Sequence, residues 1–395
     1  MKLRNFNYIV FFTFFALLSV YPYVFTFMLG LPSDKVMGIL SLLLFAGLLV
    51  FSKGKVQSMP TFLALYSFFQ SFVWFFFFLI HSDSTYLTRV FYVLLTLTIL
   101  YVLVKTRSLF SFVRYHNGFI AIQAVLGAIA FVLIFIGVLP LITVFSNTFG
   151  HDIYFYGLTC TNVALDNVIR VAGFFDEPGA LAAWGIYTLV FNKLFFDDRR
   201  IELSILICLL TTLSAAFFIQ ALLYLLFFYG SSIKGKRAKN FVAISIFLAV
   251  IVMAVFSSMR DNWVIARYTT ERFQDGEIKS MRYQLAEEAK KTFISNPFFG
   301  IGAKKMDEGT YMGDNPYETL AKDGMVGTIV SYIPLLFLLL KYRKREMVAA
   351  IIVLSAGYLQ RPFHMNLIHC LFLYLLCLMC YFKYEKTALY KKQII

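Results

Sequence analysis

Long apolar runs, separated by short polar connections, recur from one end of the chain to the other. A helix needs roughly 20 apolar residues to cross a bilayer. On that ruler the pattern predicts about twelve crossings, near 7–29, 36–52, 60–80, 86–104, 117–143, 178–196, 201–214, 215–230, 241–258, 324–341, 347–360 and 366–382. The run across 201–230 contains Thr211, Thr212 and Ser214, which predicts two short or tilted helices broken there. One long helix is the competing reading. Two polar segments are long: 144–177, and 259–320, the largest polar block. Inside the second, residues 280–295 set Met281, Leu285, Ala289 and Phe293 near one helical face. Glu287 and Lys291 stand four apart, in the order that favours an ion pair. Asn296-Pro297 stops this helix and Gly300-Ile301-Gly302 makes a turn. The helix is expected to lie on the membrane face or cover an opening. The fold class expected is an all-α polytopic membrane protein, with 1–395 as a single integral membrane domain.

Composition and charge sharpen this picture. Hydrophobic residues make up 60% of the chain, above the proportion of a soluble domain, and the mean hydropathy is +0.74. The net charge of +14 gathers in SKGK (52–55), KTRSLFSFVR (105–114), KGKRAK (234–239), KYRKR (341–345) and the C-terminal tail. These connections all fall on one side when the N-terminus, with Lys2 and Arg4, is placed inside. That is the positive-inside pattern; nucleic-acid binding is not supported. Both termini are then cytoplasmic, and 144–177 and 259–320 face outward. The first apolar run is longer than a typical signal-peptide core, lacks a small-x-small cleavage site, and reads as a span. Of five cysteines only Cys160 falls in an outward segment, so no disulfide framework is expected. Cys377 and Cys380 have CxxC spacing inside a span, where helix packing explains them.

The richest chemistry is in RVAGFFDEPG (170–179), an arginine and two adjacent carboxylates at the mouth of an apolar run. Charges at a bilayer boundary are costly unless paired, solvated or in use. In one reading Pro178 starts a helix capped by acids, with Arg170 paired to Asp176 or Glu177. In the other, Arg170 binds an anion and Glu177 accepts a proton or contacts an acceptor sugar. Further outward arginines are Arg260, Arg267, Arg272, Arg282 and Arg361. The guanidinium fork suits phosphate and keeps its charge when partly desolvated. His364 in QRPFHMN is a further candidate, although a lone histidine at a membrane interface is more often structural. Tyr311, Tyr317, Trp263 and Tyr268 suit stacking on sugars and equally suit the membrane interface.

The order of these motifs resembles the Wzy-type O-antigen polymerases and the related O-antigen ligases. The resemblance rests on Arg170-x-x-Gly173 with its downstream acid-proline pair, then on Arg282, then on ISNPFFGIG (294–302), and finally on GDNPYETLAKDGMVG (313–327) entering a span. It covers roughly 170–330. It implies a GT-C-like helical bundle carrying a large external loop, in the bacterial plasma membrane. The activity implied is metal-independent glycosyl transfer at its outer face, without a cofactor, from an oligosaccharide on undecaprenyl diphosphate. Arg170 and Arg282 become contacts to the donor diphosphate, with Arg267, Arg272 and Arg361 as further substrate contacts beside Asp176, Glu318 and His364. Membrane lipid and a chain-length regulator protein are the other partners.

One departure bears on the reaction. Ligases and some polymerases have histidine before the asparagine, where this chain has Asp314 before Asn315. A carboxylate within hydrogen-bond reach does the same work, which makes Asp314, Glu318 and Glu177 the candidate bases. The missing histidine favours a repeat-unit polymerase over a ligase that uses the same donor. A lipid-linked oligosaccharide flippase is the alternative of another class. It is expected to show matched broken helices in two halves and ionisable groups near mid-membrane.

Overall fold

The computed structural model of the chain describes residues 60–105, 107–140, 143–146, 152–156, 159–164, 168–175, 177–230, 281–308, 315–360 and 367–386. The spans expected at 7–29, 36–52 and 241–258 lie outside the described residues. The helices are α1 (Thr61–His81), α2 (Thr85–Lys105), α3 (Leu109–Phe135), α4 (Pro178–Phe195), α5 (Arg199–Cys208), α6 (Ala215–Tyr229), α7 (Met281–Ser295), α8 (Ala303–Glu308), α9 (Glu318–Lys341), α10 (Arg345–Gln360) and α11 (Leu367–Glu385). Of these, α1, α2, α3, α9 and α11 are long and apolar enough to cross a membrane. The protein is therefore a polytopic membrane protein.

Most described helices fall within a turn or two of the expected apolar runs, five of them being candidate spans where twelve crossings were expected, but α3 begins eight residues before the expected 117. Its first turns absorb His116 and Asn117, both buried. It ends at Phe135 because Gly137 takes a φ of +77° and Pro140 follows. The 201–230 run is broken as expected, and the continuous helix is ruled out. After α5 comes a 3-10 turn, Leu209–Thr212, and Leu213 then adopts a left-handed φ of +47°. Thr211 and Thr212 each turn a hydroxyl back onto a carbonyl three residues earlier, at 2.7 Å. Such bonds compete with the helix ladder.

The all-α expectation needs correction between α3 and α4. There the chain forms a four-stranded antiparallel meander, β1 (Thr143–Ser146), β2 (Asp152–Phe155), β3 (Cys160–Ala164) and β4 (Val168–Gly173). The register pairs Ile153 with Asn162, and Thr161 with Val171. Branched residues crowd these short segments, as in VIRVAG, and favour extended backbone.

The backbone gathers into two compact units, one of 1–65, 94–221 and 367–395, the other of 66–93 and 222–366. In the first, aromatic contacts fix the helix directions. Phe110 of α3 meets Phe195 of α4 at 6.3 Å, while Phe119 meets Phe174, just before α4, at 5.7 Å. The two helices therefore run antiparallel. Trp184 meets Phe372 of α11, and Lys383 Nζ donates to Leu194 O at 2.6 Å, so α11 runs parallel to α4. Arg114, Lys193 and Lys383 thereby share one end of the unit with the DDRR turn at 197–200. Cys377 and Cys380 are buried in α11.

In the second unit α7 packs along α9, with Ala289, Met306 and Ala321 buried together. The ion pair on α7 is Lys290 to Glu287 at 3.7 Å rather than the expected Lys291 pair. Both partners are partly exposed, so it stabilises by a few tenths of a kcal/mol at most. Tyr66 of α1 donates to Val330 O of α9 at 2.9 Å.

Candidate functional site

In the first unit the arginine motif lies where β4 enters the helices. Gly173 has a φ of +63°, and a side chain there would sit 2.4 Å from Gln123 Oε1. That oxygen accepts from Phe174 N at 2.7 Å. One turn along α3, a Cβ on Gly127 would come 2.3 Å from Val171. Gln123 and Gly127 thus give α3 a groove with a matching acceptor. Irregular backbone inside a membrane protein is tolerated where protein satisfies its polar groups. Arg170, three residues before Gly173, is half-buried. Its Nε donates to Thr212 O at 3.0 Å, at the break between α5 and α6. A carbonyl at a helix end lacks an intrahelical partner and carries partial negative charge, which explains the attraction.

Glu177 follows at the N-terminus of α4 in extended conformation, with Pro178 in the first turn. Its backbone oxygen accepts from Ala180 N at 3.0 Å, but its carboxylate does not cap the helix. The proline start is as expected; the side-chain cap is absent.

The second unit explains the glycine motifs. Residues 297–302 form a strap laid across the start of α9. Ile301 N and Gly302 N donate to Ala321 O and Lys322 O, while Met325 N and Val326 N donate to Pro297 O and Phe298 O. α9 is broken at Gly324, which has φ +62°. A Cβ on Gly324 would lie 2.3 Å from Phe298 O, and one on Gly300 would lie 2.4 Å from Lys322 O. The proline-x-x-glycine-x-glycine and acid-glycine motifs are therefore two halves of one backbone-to-backbone joint. Asn315 makes the turn into α9, its Oδ1 accepting from Tyr317 N at 2.9 Å.

Behind this joint sits a charge pair that the motif reading did not single out. Arg89 Nη1 and the Tyr86 hydroxyl each donate to Asp323 Oδ1 at 2.9 Å, and all three residues are buried. The Arg89 guanidinium also lies 4.7 Å from the ring centres of Trp74 and Tyr86. His81 Nε2 donates to Phe299 O at 3.0 Å; a carbonyl only accepts, so this nitrogen carries the hydrogen. Asp83, in the turn between α1 and α2, accepts from Thr85 N at 2.9 Å and from Lys304 N at 2.7 Å. Burial alone would raise the Asp83 pKa. The N–H donors, helped by the Arg89 charge, outweigh it and hold the carboxyl below its ordinary range. An arginine five residues into an otherwise apolar span was a legible signal for this centre.

Of the expected site residues, Arg170 and Glu177 belong to the first unit, and Arg282 and Glu318 to the second. Arg282 is in the first turn of α7 and Glu318 in the first turn of α9, two helices that pack together. Asp176, Arg267, Arg272, Asp314, Arg361 and His364 lie outside the described residues.

No curated protein and no solved structure matches the chain significantly. The family model described as O-antigen ligase matches residues 203–323, from α5 through the strap to Asp323. Residues 203–323, about a third of the chain, thus form a domain of the O-antigen ligase and polymerase superfamily, whose members are glycosyl-transferring enzymes.

Proposed function

We propose that this protein polymerises oligosaccharide repeat units carried on undecaprenyl diphosphate, at the outer face of the bacterial plasma membrane, with both its termini cytoplasmic. The observation that carries the reading is the O-antigen ligase domain at 203–323. The strap, with the Ala321 and Lys322 carbonyls that it bonds to, lies in the C-terminal part of that domain. An acceptor sugar hydroxyl attacks the anomeric carbon of the donor glycan. The bond to the diphosphate oxygen breaks, and the leaving diphosphate keeps the electron pair. Arg170 and Arg282 stabilise the charge that develops there, as preorganised cations do in an anion site. A carboxylate among Glu177, Asp314 and Glu318 takes the hydroxyl proton. No metal is assigned a role.

The ligase reading shares the donor and differs in the acceptor. Asp314 in place of a histidine before Asn315 favours polymerisation. Purified protein in liposomes, given lipid-linked repeat units, is expected to build a ladder of chain lengths, undiminished by chelator. A single transfer to lipid A-core and no ladder identifies a ligase. Loss with chelator, restored by a divalent cation, overturns the metal-free reaction.

A further inference from the structure

Three elements that are distant in sequence meet at the Arg89 centre: the turn joining α1 to α2, the 297–304 strap with the first residues of α8, and the break in α9. Asp83 ties the turn to Lys304 N, and His81 ties it to Phe299 O. Asp323, one residue before the break at Gly324, is tied to Arg89 and Tyr86. The strap in turn bonds to α9 on both sides of that break. Asp323 is 1% exposed and one of its oxygens already takes two donors, so it is not placed to receive a proton from an acceptor sugar. Arg89 is equally closed to a diphosphate, being 6% exposed and packed against two aromatic rings. Charges buried at the edge of a membrane span and spent on each other hold shape.

What they hold is the route from strap to α7. The helix runs into the strap at Asn296-Pro297, and its inner face is fixed where Ala289 packs against Ala321 and Met306. We infer that Arg89, Tyr86 and Asp323 form a positioning lock that clamps the strap to α9 and thereby fixes α7, the helix whose first turn carries Arg282. None of the three is a catalytic residue. The activity arm of the test rests on the polymerase reading; the labelling arm does not.

The reporter is Ala289→Cys, a fully buried position outside the proposed substrate contacts. In membranes, labelling of residue 289 by an impermeant maleimide is read by mass spectrometry. The reporter protein is expected to be protected and active. Adding Arg89→Ala leaves an unpaired buried carboxylate, which strongly favours opening. It is expected to raise the labelling rate by at least about tenfold and to cut chain extension by about 100-fold, the scale of a small misplacement of a reacting group. The double change Arg89→Met with Asp323→Leu removes both charges together. It is expected to restore protection and to bring extension back to within about tenfold of the parent, because paired burial is replaced by apolar packing. It also decides the matter if Arg89→Ala alone fails to accumulate. The lock is refuted if Arg89→Ala stays protected and active. It is equally refuted if the double variant is protected yet inactive, since one of the charges then acts on substrate directly. A parent that extends no glycan sinks the polymerase reading, while the labelling still tests the lock.

Discussion

The two units each carry an arginine bonded beside a break in a helix, and they use it in opposite ways. Arg89 is buried, paired with a carboxylate and packed against aromatic rings. Arg170 is half-buried and held through Nε by the backbone oxygen of Thr212. A guanidinium neutralised by a buried carboxylate has little left to offer a ligand. Arg170 instead meets a backbone carbonyl at a helix break, through one nitrogen of its fork. The buried member of such a comparison is the architectural one, and the half-buried member is the one to test for substrate. Arg282, in the first turn of α7, is the other arginine to test.

The largest effect that separates the two kinds is on chemistry. Arg170→Ala and Arg282→Ala are each expected to reduce chain extension by about 100-fold or more, with insertion and accumulation unchanged. Lysine at either position is expected to rescue poorly, because a point charge replaces a two-pronged donor. Normal chain-length ladders from both alanine variants would remove these residues from the site. Full activity with lysine would show that charge alone suffices.

The next effect belongs to the joint. Gly324→Ala puts a side chain on backbone with φ +62° and 2.3 Å from Phe298 O. The backbone strain alone costs about 1–3 kcal/mol, and the contact with the strap adds to it. The protein is expected to lose heat resistance in detergent, and Gly300→Ala is expected to do the same. Gly118→Ala in α3 is the control, since no atom lies within 4 Å of its added Cβ; there a gain of about 0.5–1 kcal/mol is expected. Equal melting behaviour of Gly324→Ala and Gly118→Ala would deny the joint its role.

These glycines also show what the sequence made legible. The helix over 280–295, its stop at Asn296-Pro297 and the break at 211–214 were readable, because periodicity and breakers are local. The order of the arginine and glycine motifs was readable as a family pattern. That Gly300 faces Lys322 O while Gly324 faces Phe298 O was not, since pairing across 22 and 26 positions of chain leaves no periodic trace. The sheet at 143–173 was missed for a different reason. Its strands are four to six residues long and sit in a chain where helix-length apolar runs dominate. Arg89 and Asp323 were visible one at a time, as a lone cation in α2 and as the acid before a glycine. Only the fold turns them into a pair.

A smaller effect distinguishes how the first unit satisfies its buried backbone. Gln123→Leu removes the acceptor for Phe174 N while keeping most of the side-chain volume. An orphaned buried donor costs about 1–3 kcal/mol, so the melting temperature is expected to fall. Arg170-dependent extension is expected to weaken as well, because β4 carries both Arg170 and Gly173. An unchanged melt would mean that Phe174 N has another acceptor within reach.

The smallest effect is titration at the turn between α1 and α2. The Asp83 carboxyl is held below its ordinary value of 3.8, because the Thr85 and Lys304 N–H groups overcome the opposing effect of burial. A carboxyl depressed in the folded state contributes stability above its unfolded pKa. That contribution is lost as pH falls through the folded value. Heat resistance is therefore expected to be flat above about pH 5 and to decline below it, as the carboxylate that holds Lys304 N is protonated. Asp83→Asn keeps an oxygen acceptor for one N–H and removes the titration. It is expected to lower heat resistance modestly at neutral pH and to flatten the acid limb of the curve. Identical acid limbs in parent and variant would assign the acid sensitivity to other carboxylates. The mooring of the strap at Lys304 would then be independent of the charge on Asp83.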